Sequence, residues 1–150
     1  SVGLGMALGA GLNTAGRMGD VEGNGVDREG GQVWEMASAA AHYGVDNLTV
    51  LMDRNGIQID GFTKDVMDQG DLAAKYEAFG WHVQRVDGHD LAALDAALNT
   101  AKEVKGRPQM IECTTVLGKG VSYMENVAKW HGVAPDDEQL EQALQELGGL

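Results

Sequence analysis

The alternation of apolar and polar positions predicts strands and helices in turn along most of the chain. Short apolar runs that are typical of strands occupy residues 48–52 and 110–116, and residues 81–86 alternate as a strand does. Apolar residues at helical spacing indicate helices over residues 32–43, 71–79, 90–105 and 136–147. The first strand run has no polar alternation, which indicates a strand covered on both faces. This order of elements predicts an α/β protein with a parallel sheet.

Turn and capping residues mark where the helices begin and end. Asp71 and Asp90 stand at two helix starts, where a side-chain oxygen can accept from free backbone N–H groups. Gly44 and Gly80 follow two helix ends, where glycine adopts a left-handed conformation without strain. In the helix after Asp90, the residues expected to face inward are Leu91, Leu94, Ala97, Leu98 and Ala101.

The N-terminal part of the chain is the least regular. Residues 1–12 carry leucines at helical spacing, with Ala and Gly between them, and predict a thin helix. Residues 13–31 mix glycines with acidic residues and keep neither a strand period nor a helix period. They predict either a glycine-rich loop that holds phosphate through a metal or a solvated loop. The chain starts abruptly without Met, so we expect a fragment of a longer chain.

The stretch over residues 53–61 combines a strong turn signal with oxygen-bearing side chains. It follows the apolar strand run, and loops at the carboxyl ends of parallel strands are where open α/β sheets bind ligands. Asp53 and Asn55 offer side-chain oxygens, and the backbone after Gly56 offers carbonyls. Such oxygens suit Mg²⁺ holding a phosphate. This stretch by itself favours a plain connection between a strand and a turn over a metal site.

Composition and charge exclude several classes of protein. The chain has 150 residues and a formal net charge of −12, which predicts one domain over residues 1–150 and argues against nucleic acid and anionic membranes as partners. The sequence contains no long apolar run and no secretory signal, so we expect a cytoplasmic protein. The single cysteine, Cys113, lies in an apolar run and is expected to be a buried packing residue.

Several motifs in a fixed order resemble those of transketolases, and especially the diphosphate-binding subunit of the split, two-subunit type. They are VGLGMALGA at residues 2–10, GQVWEMA at 31–37, HYGVDNL at 42–48, DRNGIQIDG at 53–61, AFGWHV at 78–83, DGHD at 87–90, GKGVSYMEN at 118–126 and WHG at 130–132. The resemblance implies a doubly wound parallel sheet of the thiamine-diphosphate-binding type. It also implies thiamine diphosphate and Mg²⁺ as cofactors.

The resemblance also implies roles for individual residues. Asn55 would bind the metal through its side chain, and Ile57 would bind it through its backbone carbonyl. Ile57 and Ile59 would flank the cofactor rings. His131 would contact the diphosphate and the reacting sugar, as the one catalytic residue that the motifs identify. Gly25 and Val26 would stand at the cofactor-binding positions of the family's Gly-Asp-Gly motif.

That Gly-Asp-Gly motif is degraded in this chain. Counting back from Gly31 without a gap places it on residues 24–26, so the metal-binding Asp of the family is Gly25 here. The strand expected before the motif falls on residues 17–23, which is a poor strand by sequence. A family Glu of the dimer interface is replaced by Gly30. Asp20 and Asp27 are the carboxylates that could substitute for the missing ligand.

The resemblance implies transfer of a two-carbon ketol unit between a ketose and an aldose sugar phosphate. A C-terminal, pyrimidine-binding transketolase subunit would be the partner, in a homodimer or a heterotetramer. Two alternatives remain open. The chain could be a non-catalytic scaffold of the same fold, or it could belong to another thiamine-diphosphate enzyme, such as a deoxyxylulose-phosphate synthase or a dehydrogenase component.

Overall fold

A computed structural model describes residues 19–23 as backbone and residues 31–149 with their side chains. The predicted helix over residues 1–12, and residues 24–30, lie outside the described residues. The chain divides into two compact units. We call Ser1–Arg54 with Gln69–Thr114 the sheet unit, and Asn55–Asp68 with Thr115–Leu150 the turn unit. Nowhere in the described part is a helix both long enough and apolar enough to cross a membrane.

Among the described residues, the predicted helices and strands occur in the predicted order, with shorter elements between them. They are β1 (Gly19–Gly23), α1 (Gly31–His42), β2 (Leu48–Arg54), β3 (Ile57–Gln58), β4 (Gly61–Phe62), α2 (Thr63–Val66), α3 (Leu72–Ala78), β5 (His82–Asp87), α4 (Leu91–Glu103), β6 (Gln109–Thr114), a 3₁₀ helix (Ala128–His131) and α5 (Asp137–Glu146).

The sheet unit is built on four parallel strands in the order β1-β2-β6-β5. Helices cover both faces, as predicted for a doubly wound sheet. On one face α1 and α3 pack on alternate residues of β2 and β6, including Val50, Met52 and Met110. On the other face α4 packs on Ile111 and Cys113. Both faces of the central strands are therefore buried, which explains why the strand run over residues 48–52 shows no polar alternation.

β1 corrects the prediction, made from the residue pattern, that residues 13–31 form a loop, and it lies within residues 17–23, where the resemblance places a strand. Its residues pair in parallel with β2, from Gly19 opposite Leu48 to Gly23 opposite Met52. The ladder bonds of a parallel pair join backbone groups, so a segment can pair without a strand-like pattern of side chains. β1 ends directly before residues 24–26, where the degraded motif is expected.

Most helix ends follow the predicted caps. Asp71 accepts from the N–H of Ala74, and Asp90 begins α4 in the same way. Gly44 has φ of +58° and closes α1. One inward position is wrong: Leu91 is 80% exposed, because it is the first residue of α4 and lies off the buried stripe. Residues 63–66 form the short helix α2.

The turn unit has few buried apolar residues and many polar contacts. Asp136 and Gln139 form a capping box at the start of α5. Near the end of α5, the carboxylate of Glu146 accepts from both the backbone N–H and the hydroxyl of Ser122. Gly118 has φ of +70°, and a Cβ there would lie 2.5 Å from the Cβ of Met124, so only glycine fits this approach. The hydrogen bonds between Glu146 and Ser122 connect α5 to the loop that leads to the 3₁₀ helix.

The stabilisation of the fold by the hydrogen bonds between Glu146 and Ser122 should depend on pH. The two hydrogen bonds from Ser122, with a further one from Gln142, hold the pKa of Glu146 below its ordinary value of 4.5. A lowered pKa in the folded state means that the carboxylate stabilises the fold above pH 4.5 and that this stabilisation is lost as the pH falls through the lowered pKa. Native protein should therefore melt at a higher temperature than Glu146→Gln at neutral pH, and the two should converge in acid.

Thermal unfolding followed by circular dichroism between about pH 7 and about pH 3 measures this difference. Glu141→Gln, on the same helix, is the matched control and should show no comparable gap. A constant gap between native protein and Glu146→Gln across this pH range would contradict the prediction.

Candidate functional site

The turn that carries Asn55 begins directly after β2, the second strand of the parallel sheet. Asn55 is half-buried, and its Oδ1 accepts a hydrogen bond from the backbone N–H of Ile57 over 2.9 Å. Gly56 between them has φ of +72°, a conformation that suits glycine. The Asn-Gly turn predicted from the sequence is confirmed, and it fixes the orientation of the Asn55 amide.

A small hairpin, which the sequence analysis did not predict, continues from this turn. β3 and β4 pair in antiparallel fashion, with Ile57 opposite Phe62. The N–H of Thr63 donates to the carbonyl of Gly56 over 2.9 Å and closes the hairpin onto the turn. Ile57 is 1% exposed, whereas Ile59 at the tip is 66% exposed. Ile57 is thus buried in the hairpin and Ile59 presents an open apolar surface, and the place of both beside the cofactor stays a prediction.

His131 ends the 3₁₀ helix of the same unit and is half-buried. The neighbouring Trp130 fixes this helix, because its indole N–H donates to the carbonyl of Tyr123 over 2.8 Å and the two rings lie edge to face at 5.2 Å. The Tyr123 hydroxyl donates in turn to the carbonyl of Gln139 in α5 over 2.6 Å. Burial, with the nearby carboxylates of Glu146 and Asp136, raises the pKa of Tyr123. Tyr123 therefore stays a protonated donor at neutral pH.

The 3₁₀ helix contacts both strands of the hairpin. The turn unit therefore brings the segment after Asn55 and the segment that ends in His131 into one compact body. These segments are more than sixty residues apart in the sequence. Sequence pattern alone gave no reason for them to meet; only the resemblance predicted it.

Gln58 is a polar residue in this hairpin that the sequence analysis did not single out. It is 5% exposed, and its Oε1 has no hydrogen-bond partner among the described residues. A buried acceptor without a donor is unfavourable unless a ligand or water supplies one. The sequence could have pointed to Gln58 through its position between Ile57 and Ile59, because a buried polar side chain is unexpected there.

The donors available for a metal are oxygens. No cluster of three or more His, Cys, Asp or Glu side chains that could hold a metal occurs in the described part of the chain. The Asn55 amide and the nearby backbone carbonyls are hard oxygen donors, and they fit Mg²⁺ bound mainly by phosphate and water. The predicted cofactor-binding positions Gly25 and Val26, and the alternative ligand Asp27, lie outside the described residues.

The other candidate ligand in this region, Asp20, is in the wrong place. It lies within β1 opposite Thr49, and Arg54, the residue before Asn55, is five residues further along β2. At about 3.3 Å per residue, the separation along the strand is about 16 Å. A metal ion bound by Asn55 cannot reach Asp20 across that distance, so Asp20 does not substitute for the missing Asp.

Asp53 and Cys113 lie beside each other on neighbouring strands, in register across β2 and β6. Cys113 is 8% exposed, and burial, together with the charges of Asp53 and Glu112, raises the pKa of its thiol. A raised pKa and a buried position describe an unreactive thiol, which confirms Cys113 as a packing residue.

Comparison with known proteins agrees with this geometry. Residues 21–149 match the family described as the thiamine diphosphate binding domain of transketolase. An apulose-4-phosphate transketolase subunit of Phocaeicola vulgatus is 36% identical over 98% of this chain and 52% of the relative. The 6-deoxy-6-sulfo-D-fructose transketolase subunit SqwG of a Clostridium species is 38% identical over 78% of this chain and 42% of the relative. The chain thus spans about half the length of these curated relatives.

Solved structures give the same result. The transketolase of Campylobacter jejuni superposes with a TM-score of 0.88 at 26% identity, over 99% of this chain and 24% of that one. The transketolase of Leishmania mexicana superposes with a TM-score of 0.86 at 32% identity, over 99% of this chain and 23% of that one. With the family match over most of its length, the chain belongs to the transketolase thiamine-diphosphate-binding domain family.

Proposed function

We propose that this chain is the diphosphate-side part of a split transketolase, which transfers a two-carbon ketol unit between a ketose and an aldose sugar phosphate. Its cofactors are thiamine diphosphate and Mg²⁺, and its partner is a C-terminal, pyrimidine-binding subunit in a homodimer or heterotetramer in the cytoplasm. The proposal is supported by relatives that are named as transketolase subunits. The observation that carries it is the packing of the hairpin after Asn55 against the 3₁₀ helix that ends in His131.

In this proposal Asn55 and Ile57 hold the metal. The hydrogen bond from the Ile57 N–H aims the Asn55 amide, so its oxygen is oriented before the metal arrives. Preorganised oxygen donors of this kind suit Mg²⁺, which keeps much of its shell for phosphate and water. Ile57 and Ile59 would flank the rings of the cofactor, and Gly25 and Val26 would be the cofactor-binding positions of the degraded motif. Bound thiamine diphosphate supplies the carbanion-stabilising chemistry of the ketol transfer.

His131 binds and orients the sugar. The imidazole can donate a hydrogen bond to a substrate oxygen on which negative charge develops, and it can accept from a hydroxyl. The 3₁₀ helix that carries it is held by the hydrogen bonds of Trp130 and Tyr123. A group held in place by its neighbours reorganises little during the reaction, which is what electrostatic stabilisation requires.

The partner requirement predicts that the chain alone has no transketolase activity. Purified chain with thiamine diphosphate, Mg²⁺, a ketose phosphate and an aldose phosphate should give no ketol transfer above background. Adding the pyrimidine-binding subunit should produce transfer, because that subunit completes the site. Coupled spectrophotometric assays with each component omitted in turn measure this, and ketol transfer by the chain alone would refute the requirement.

Binding of the cofactor should depend on Asn55. Calorimetric titration of native protein and partner subunit with thiamine diphosphate should show binding that needs Mg²⁺. Asn55→Ala removes a metal ligand and should weaken this binding by at least about tenfold, or about 1.4 kcal/mol. Asn99→Ala, an exposed asparagine of α4, is the matched control and should bind as native protein does. Equal affinities for all three proteins would contradict the role of Asn55.

A second function is favoured by one specific observation, the glycine at position 25 where the family has its metal-binding Asp. A chain that keeps the fold but lacks this ligand could serve as a non-catalytic scaffold for its partner. The scaffold function predicts no Mg²⁺-dependent binding of thiamine diphosphate by native protein. The position of β1, which ends at Gly23, supports the ungapped count that puts Gly25 at the motif.

Rebuilding the motif tests what position 25 contributes. The triple variant Asn24→Gly, Gly25→Asp, Val26→Gly restores Gly-Asp-Gly and adds a carboxylate ligand for Mg²⁺. It should bind thiamine diphosphate with Mg²⁺ at least about tenfold more tightly than native protein by calorimetry. Asn24→Gly with Val26→Gly alone is the control for loop flexibility. If the triple variant binds no better than this control, the ungapped assignment of the motif is wrong.

A further inference from the structure

A buried acidic side chain belongs to the parallel sheet. Glu112 is in β6, between β2 and β5, where Met52 and Arg85 are its register partners. Its side chain is 1% exposed. Removing a carboxylate from water is costly unless charged partners compensate, and an apolar residue in a sheet core avoids that cost. The contacts of Glu112 therefore need an explanation beyond packing.

Two arginines share one oxygen of this carboxylate. Arg54 Nη1 lies 3.2 Å from Glu112 Oε1, and Arg85 Nε lies 3.6 Å from the same oxygen. The other oxygen, Oε2, is buried and has no hydrogen-bond partner among the described residues. The two arginine side chains are 46% and 48% exposed, so each reaches from the surface to a buried anion.

The two arginines are not equivalent. Arg85 Nη2 also donates to both carboxylate oxygens of Asp71, over 2.8 and 3.0 Å. The Ala74 N–H and then the Arg85 guanidinium lower the pKa of Asp71, so Arg85 has an ionised surface partner at neutral pH. Arg54, in contrast, forms its ion pair with Glu112 alone among the described residues. Glu112 is thus the anchor for Arg54 in a way that it is not for Arg85.

The ion pair with Glu112 acts on a residue that directly precedes the Asn55 turn. Arg54 is the last residue of β2, and Asn55 follows it directly. The backbone then turns back, so that the Ile57 N–H bonds to the Asn55 side chain. A tether on the side chain of Arg54 restrains the backbone one residue before the Asn55 turn begins. Small displacements of groups that hold a cofactor lower affinity and rate strongly.

We propose that Glu112 is a positioning residue, which holds Arg54 and thereby fixes the start of the Asn55 turn. For its link to thiamine diphosphate this inference rests on the proposed function; for the ordering of the turn it does not.

The test separates positioning from stability. Removing one charge would leave the other unpaired, so the informative variant is the double change Arg54→Met with Glu112→Met, since apolar replacement of a whole ion pair is often tolerated. Asp71→Asn is the matched control, because it removes an exposed partner of Arg85 and leaves the Arg54–Glu112 pair intact. Urea denaturation of all three proteins first establishes that each one is folded.

Amide hydrogen exchange at Ile57 is the primary readout, because it needs no cofactor. The double variant should exchange this amide at least about fivefold faster than native protein, and Asp71→Asn should exchange it at the native rate. An unchanged rate in the double variant would overturn the proposal. Faster exchange in Asp71→Asn as well would also overturn it, because the effect would then be a general loosening.

Calorimetry with thiamine diphosphate and Mg²⁺, with the partner subunit present, is the second readout. A stably folded double variant that binds about tenfold more weakly than Asp71→Asn supports a link from Glu112 to the cofactor. Equal affinities would overturn that link. If native protein itself binds no cofactor, the proposed function fails, and the exchange rate at Ile57 still decides whether Glu112 orders the turn.

Discussion

The rest of the structure depends on the backbone ladder that joins β2 and β6 in parallel. This pairing runs over six residues, from Thr49 opposite Gln109 to Arg54 opposite Thr114. Because all four strands of the sheet are parallel, their carboxyl ends lie along one edge. The turn at Asn55 starts from that edge, as does the sequence that follows β1. Ligand sites in open α/β sheets arise there because the connecting loops separate at the strand ends.

Different interactions stabilise the interior of each of the two units. The sheet unit relies on buried apolar surface, with Tyr76, Leu48, Met110 and Ile111 almost fully buried. The turn unit has few such residues and relies on directed hydrogen bonds, such as those of the α5 capping box and of Glu146 with Ser122. A unit stabilised in this way fixes the orientation of its side chains well, because hydrogen bonds are directional whereas apolar contacts are not. That property suits the part of the chain that carries His131.

Much of the fold could be predicted from the sequence because periodicity and caps are local. The helices after Gly31, the strands around Val50, Val83 and Ile111, and the Asp71 and Asp90 caps all follow from neighbouring residues. β1 could not be predicted in this way, since its residues pair through backbone groups with a strand already present. The β3–β4 hairpin was missed because two-residue strands carry no period.

The sequence by itself determined the family, the α/β order and the identity of Asn55 as the residue in the Asn-Gly turn, because these reside in motifs and local spacing. The tertiary structure alone decided that the hairpin after Asn55 packs on the helix of His131. It also decided that Glu112 is a buried anchor for Arg54 and that Asp20 is too far along β1 to bind a shared metal. The physical reason is that burial and through-space distance depend on which strands pair, and that pairing joins residues far apart in the chain.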